Sequence, residues 1–149
     1  MGAIESALDK ALASAHNGDY EGALGYLETI SDQPDLPSRY FLLKGRLIQS
    51  SDGLKYSLED SRNALTTALQ LAPDDAEVHS ELGFFYSRVI PDKVRACEHF
   101  RRAVERLRFL YAEAVAGLIE TVSESPDDSL SLILEEMQLL RKRIEDDLK

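Results

Sequence analysis

The sequence has few of the features that disulfide-bonded, zinc-binding or membrane-spanning proteins require. Its single cysteine, Cys97, excludes an internal disulfide framework and cannot by itself provide a thiolate zinc site. No apolar run approaches the roughly 20 residues of a transmembrane helix. The N-terminus lacks the basic and then apolar profile of a secretory signal. We therefore expect a cytoplasmic protein.

Positive charge is also in short supply, because 17 Lys and Arg residues face 27 Asp and Glu residues, for a net charge of −10. Binding to nucleic acid depends largely on neutralising phosphates, so a nucleic-acid partner is not expected. One motif points toward a membrane, since MGAIES fits the N-myristoylation pattern with Gly2 and Ser6 at the required places. A single acyl chain anchors weakly, and the adjacent Glu5 and Asp9 would repel anionic lipid. We expect no membrane association.

Catalytic and metal-binding patterns are absent as well. His16, His79 and His99 stand alone in the sequence, and none is spaced for metal ligation with another His or Cys. Cys97 follows Ala96, a small residue at a close-packing place, and is therefore predicted to be a buried, inert thiol. No strand followed by a Gly-rich phosphate loop is found. The sequence predicts neither an enzyme nor a bound cofactor or metal.

What is present is helical periodicity around the stretch NGDYEGALGYL. An Asn-Gly pair often joins two β-strands, but the apolar residues on both sides recur at three- and four-residue steps, the period of a helix. Asp19 stands at the N-cap place of the second helix. The turn is therefore predicted to join helices, and a neighbouring helix pressed against that face would explain Gly22 and Gly25.

Three segments repeat one pattern of small and large residues. Each has apolar or small residues at spacings of four and three: Ala23, Leu27 and Ile30; Ser61, Leu65 and Ala68; and Ala96, Phe100 and Ala103. A small residue on a preceding helix comes before each segment: Ala11, Gly45 and Gly83, with Gly117 as a fourth, 34 positions after Gly83. These residues are predicted to let paired helices approach closely, with Leu or Phe filling the remaining space.

A period near 34 residues with helix–turn–helix units resembles the tetratricopeptide repeat family. The third unit carries the resemblance most completely, with one extra residue near Pro91: Leu82-Gly83, Tyr86, Ala96, Phe100 and Ala103. The second unit supplies Gly45, Leu65, Ala68 and Pro73, and the first matches best at GDYEGALGYL. The resemblance implies an all-α fold, a right-handed α-solenoid of antiparallel helix pairs with seven or eight helices. Its repeats would span about 4–37, 38–73 and 76–108 of a single domain, 1–149.

The remaining residues, about 109–147, are predicted to form a degenerate fourth pair with a C-terminal capping helix. A helix break is placed near Phe109, and one continuous helix from Pro91 to about Ser123 is the alternative. The last helix starts in the segment 125–128. Its apolar stripe fits a cap on the last open face of a solenoid, or a coiled-coil seam of a weak homodimer: Leu130, Ile133, Met137, Leu140 and Ile144.

The resemblance also implies a function. Proteins of this family bind peptides in a concave groove lined by the first helix of each unit. The matching places here, with Glu5 beside them, are Leu8, Leu12, Arg39, Leu42, Arg46, Gln49, Glu77, Ser80, Phe84 and Arg88. The subset that binds chaperone tails needs Lys and Asn at the places of Leu8 and Leu12, so such tails are not expected as partners.

Two functions remain open at this point. The first is an adaptor or scaffold whose groove arginines receive an acidic peptide; alternatively, those arginines pair with Glu5, Glu77 and neighbouring acids and bind nothing. The second is an acidic inhibitory partner, similar to an immunity protein or antitoxin, that neutralises a cationic protein. The partner is a protein or peptide in both cases.

Overall fold

A computed structural model describes residues 2–52, 55–124 and 128–147, and of these it describes only the backbone at 119, 121–124, 128–130, 134, 140, 144, 145 and 147. All regular secondary structure in the described residues is helical and no strand is present there, which confirms the all-α class. Its elements are α1 (Ala3–His16), α2 (Tyr20–Glu28), α3 (Ser38–Ser50), α4 (Leu58–Leu71), α5 (Ala76–Phe84), a π-helix (Phe85–Val89), α6 (Lys93–Glu124) and α7 (Asp128–Asp147). None of these helices is long and apolar enough to cross a bilayer.

The Asn17-Gly18 turn joins helices α1 and α2, as predicted. Gly18 has φ of 80°, in the left-handed region that glycine enters without a steric cost. Asp19 then caps α2, since its Oδ1 accepts a hydrogen bond of 2.9 Å from the backbone N–H of Gly22. The carboxylate thereby satisfies one of the free donors at the start of the helix.

The predicted reason for Gly22 and Gly25 is wrong, because among the described residues the atoms nearest to a Cβ on Gly22 belong to Asp19 and none lies close to a Cβ on Gly25. A Cβ built on Gly22 would clash with Oδ2 of Asp19, so this glycine leaves room for the capping carboxylate. A Cβ on Gly25 would meet nothing within 4 Å, and the residue is exposed. Gly25 therefore has no packing role.

The predicted close approach between paired helices is confirmed at two glycines. A Cβ on Gly45 would lie 2.7 Å from Cδ2 of Leu65, and one on Gly83 would lie 2.6 Å from Cε1 of Phe100. Ser61 strengthens the first contact, because its buried hydroxyl donates to the carbonyl of Gly45 over 2.8 Å. Gly117 does not fit the pattern, since a Cβ there would meet no heavy atom of the described residues within 4 Å.

Two apolar clusters form the core. The first packs α1 and α2 against α3 around Leu8, Leu24 and Leu27. The second packs α4, α5 and the start of α6, around Leu65 and Phe85, and takes in Leu42 from α3. Helix α3 contributes buried residues to both clusters, and its partly buried Phe41 packs against both.

The connection between α3 and α4 is held by Glu28 at the end of α2. Its carboxylate accepts hydrogen bonds from the Tyr56 hydroxyl over 2.5 Å and from Nζ of Lys55 over 2.6 Å. The bond from Lys55 and then that from Tyr56 lower the pKa of Glu28. Burial, followed by the bond to Glu28, raises the pKa of Tyr56. These contacts tie the longer loop of the second unit to the preceding helix pair.

The predicted helix break near Phe109 is wrong, because α6 is one continuous helix from Lys93 to Glu124. It contributes to two compact units, one ending at Arg106 and the other starting at Leu107. In the second unit the Tyr111 hydroxyl donates to the carbonyl of Met137 over 3.3 Å, so α6 contacts α7 there.

The apolar stripe predicted on α7 is described only in part. Ile133 is 45% exposed and Met137 is half-buried. The side chains of Leu130, Leu140 and Ile144, and the predicted helix start at 125–127, lie outside the described residues. The capping and homodimer roles of this helix stay predictions.

Candidate functional site

Two of the predicted groove residues are not on the surface. Leu8 is 0% exposed and Leu42 is 5% exposed, so both belong to the core and neither can contact a partner. The prediction of a binding role for them is wrong. Each leucine packs its side chain into an apolar cluster of the core. Burial of such a side chain stabilises the fold by about 1.5–3 kcal/mol.

The other predicted groove residues are accessible, and we call the surface of α1, α3, α5 and the π-helix that carries them the first-helix face. Those that are half-buried are Leu12, Arg46, Gln49 and Ser80, and those that are exposed are Arg39, Glu77, Phe84 and Arg88.

Arg46 lies at the centre of an interhelical network on this face. Its Nε donates to Oε2 of Glu81 and its Nη2 donates to Oε1 of Glu77, each over 3.0 Å. Gln49 adds a 3.4 Å bond from Nε2 to Oε1 of Glu81. Burial lowers the pKa of Arg46, but the two glutamates, Glu81 first, outweigh it and raise that pKa. The network therefore links α3 to α5.

Arg39 is also paired, since its Nη1 lies 3.8 Å from Oε2 of Glu5 on α1. Both side chains are 54% exposed, and an ion pair of this kind contributes little to stability. Together with the Arg46 network, this contact gives two of the three groove arginines, Arg39 and Arg46, acidic neighbours within the chain. The pairing that the sequence left as an alternative is therefore present at these two residues, and two carboxylates already neutralise Arg46.

Phe84 and Arg88 form an exposed pair of an apolar and a cationic side chain on this face. Phe84 is 40% exposed, and the Arg88 guanidinium carbon lies 4.6 Å from the centre of its ring. Behind it, Phe100 supports the ring edge to face, with centroids 5.0 Å apart and planes at 78°. The Phe84 ring thus packs against Phe100 in the protein and carries the Arg88 guanidinium over it.

A π-helix places Arg88 there. Its wider turn runs over Phe85–Val89, directly after Phe84, and the N–H of Ile90 closes it on the carbonyl of Phe85 over 3.0 Å. Single π turns accommodate one additional residue and are frequent at functional sites. The sequence carried a signal for it, because the third unit has one residue more than the repeat pattern near Pro91.

His79 and His99 are not isolated, contrary to the interpretation of the sequence. Their Nδ1 atoms lie 3.0 Å apart, and Nε2 of His79 lies 2.9 Å from the carbonyl of Pro73. His79 is 5% exposed, and His99 stacks on Tyr86 with centroids 5.8 Å apart. Burial first, and then the neighbouring His79, lower the pKa of His99. Neither histidine belongs to the set of small and large residues that the three segments share, so that pattern did not indicate this pair.

The prediction for Cys97 is wrong, because its side chain is exposed. Neighbouring residues of a helix point about 100° apart, so burial of Ala96 leaves Cys97 facing solvent.

In the described part of the chain, no group of three or more His, Cys, Asp or Glu side chains is arranged to hold a metal ion.

Comparison with protein-family models, with curated proteins and with solved structures finds no match.

Proposed function

We propose that this protein is a non-catalytic protein–protein interaction module, an adaptor or scaffold, whose first-helix face binds a segment of a partner protein. The observation that carries the proposal is the exposed Phe84 ring with Arg88 stacked over it. Aromatic and arginine side chains are enriched in the cores of protein interfaces and among the residues that dominate binding energy. A ring held in place by Phe100 loses little conformational entropy when a partner covers it.

The proposed architecture is the right-handed solenoid of the tetratricopeptide repeat resemblance. Equivalent close contacts at Gly45 and Gly83, one repeat apart, support it. So do the ion pairs from Arg39 and Arg46, which connect the first helices of neighbouring units. In such a solenoid the first helices line one surface, on which an extended or helical segment could run past Phe84.

The charge of the partner follows from the pairing of the arginines. Because Arg46 already binds Glu77 and Glu81, an acidic segment would have to displace two carboxylates to reach it. We therefore propose an apolar anchor on Phe84 and Arg88 as the main source of affinity. The charge of the partner would then set the association rate more than the affinity.

The second candidate is an acidic inhibitory partner of a cationic protein, similar to an immunity protein or antitoxin. The net charge of −10 favours it, because long-range attraction would speed the encounter with a positively charged protein.

Both candidates can be tested with proteins captured from the native host on immobilised chain. Phe84→Ala should abolish capture of the specific partner, whereas Tyr26→Ala should preserve it. Tyr26 is a matched control, because it is an aromatic residue with the same 40% exposure but lies on α2. If Phe84→Ala captures normally while Asp74→Lys loses the partner, the inhibitor candidate is right. Asp75 is unsuitable for that reversal, because its carboxylate caps α5 through Glu77 and Val78.

A further inference from the structure

His99 is held in one orientation by a chain of two hydrogen bonds. A carbonyl oxygen can only accept, so Nε2 of His79 donates to Pro73 over 2.9 Å. When both rings are neutral, Nδ1 of His79 therefore accepts the 3.0 Å bond from Nδ1–H of His99. This leaves Nε2 of His99, on the ring edge away from His79, as the nitrogen that can take up a proton.

Two arginines lie close to His99 in the sequence of α6. Arg95 and Arg102 lie four residues before and three residues after His99, spacings that place side chains on the same face of a helix. The guanidinium carbon of Arg95 lies 5.4 Å from the centre of the Tyr86 ring, and His99 stacks on that same ring. Tyr86 is thus a common support for a cationic and a titratable side chain.

This part of the chain is basic within an acidic protein. Residues 88–106 contain six of the 17 basic residues but only three of the 27 acidic ones. Arg102 is exposed, and Arg95, with 60% of its side chain exposed, forms a 3.3 Å ion pair with Asp92, whose side chain is 38% exposed. Exposed pairs of this kind are weak, so a ligand carboxylate can compete for Arg95.

We propose that the surface formed by Arg95, His99 and Arg102 binds an acidic segment of a partner protein. Each arginine can donate two hydrogen bonds to one carboxylate, and protonated His99 donates a further one from Nε2. The surface is separate from Phe84 and Arg88, so it does not depend on the function proposed for the first-helix face.

The binding should strengthen as the pH falls. Burial, His79, Arg102 and Arg95 lower the pKa of His99, while Glu98 opposes them. Tyr86 from the π-helix and the uncharged carbonyl of Pro73 complete its surroundings. A bound carboxylate favours the protonated ring and raises that pKa, so the complex takes up a proton and tightens between about pH 8 and about pH 6.

The test is fluorescence anisotropy with a labelled oligoglutamate peptide, at constant low ionic strength and at about pH 8 and about pH 6. An uncharged Gly-Ser peptide of the same length is the negative probe. Arg95→Gln together with Arg102→Gln should weaken oligoglutamate binding at least about tenfold, or about 1.4 kcal/mol. His99→Gln should bind as the unchanged protein does at about pH 8 but lose the gain at about pH 6.

Arg101→Gln is the matched control, because Arg101 lies on the same helix with 61% of its side chain exposed and pairs with Glu105. It should change the affinity by less than about twofold. Equal weakening by the control would show that only net charge matters and would overturn the proposal. The proposal would also be overturned if the double variant bound oligoglutamate normally, or if the unchanged protein bound it with the same affinity at both pH values. Circular dichroism of each variant verifies that the helices are intact.

Discussion

Gly83→Ala and Gly25→Ala are the same substitution in two helices, and the structure predicts that only Gly25→Ala stabilises the protein. In a helix interior alanine is favoured over glycine by about 1 kcal/mol. At Gly25 a new Cβ would meet nothing within 4 Å, so this gain should be realised in full. At Gly83 the Cβ would lie 2.6, 2.7 and 2.9 Å from three atoms of the Phe100 ring, so the ring has to move.

The ring of Phe100 cannot move freely, because it also packs edge to face on Phe84. Overpacking at such a contact costs about 1–3 kcal/mol. After the gain in helix propensity is subtracted, Gly83→Ala should change the free energy of unfolding by between zero and a loss of about 2 kcal/mol. Gly83→Leu brings a larger, branched side chain to the same contact and should be severely destabilising.

Urea unfolding followed by circular dichroism measures both variants on the same scale. We expect the unfolding free energy of Gly25→Ala to exceed that of Gly83→Ala by about 1–3 kcal/mol, the cost of the clash alone. If Gly83→Ala stabilises the protein as much as Gly25→Ala does, helix α5 is not in close contact with α6 at this residue. The close helix packing predicted from the repeat pattern would then be wrong.

Three further predictions concern polar contacts, each measured by urea unfolding. Burial lowers the pKa of His99 in the folded protein, so the unfolded chain binds a proton at this residue more readily. The free energy of unfolding should therefore fall as the pH drops below about 6.5, by at most about 1.4 kcal/mol per pH unit. His99→Gln should reduce this pH dependence. Arg46→Ala removes the ion pair of Glu81 and leaves that carboxylate the 3.4 Å bond from Gln49; it should cost about 1 kcal/mol, discounted because the Arg46 side chain is 41% exposed, and an unchanged midpoint would contradict the network. Tyr56→Phe removes the bond to Glu28 and should cost about 1 kcal/mol, and no loss would mean that this bond does not hold the loop.

The close helix contacts of the second and third repeats could be predicted because their determinants stand at matching places of the repeat pattern. A glycine on the first helix of a pair, with a Leu or Phe on the second helix, indicates close packing between the two. Gly45 with Leu65 and Gly83 with Phe100 confirm this. The Asp19 cap could also be predicted, because an N-cap side chain acts on backbone N–H groups within one helical turn.

The course of α6 could not be predicted from the repeat period. The expected break near Phe109 relied on continuing the pattern, but no proline interrupts the residues from Lys93 to Glu124. A helix ends where a residue or a cap stops it, and Gly117 alone costs only about 1 kcal/mol. In this segment the local tendency to continue the helix outweighs the period inherited from the preceding units.

The electrostatics of the candidate sites could not be predicted because they depend on which residues meet across helices. The sequence shows arginines at 39, 46 and 88 and predicts a cationic groove. The structure places Glu77 and Glu81, one helical turn apart on α5, against Arg46 from α3. It also brings His79 and His99 together, 20 positions apart in sequence. A charge pattern along one helix therefore identifies which side chains reach the surface, whereas their partners on the next helix determine whether that charge is available to a ligand.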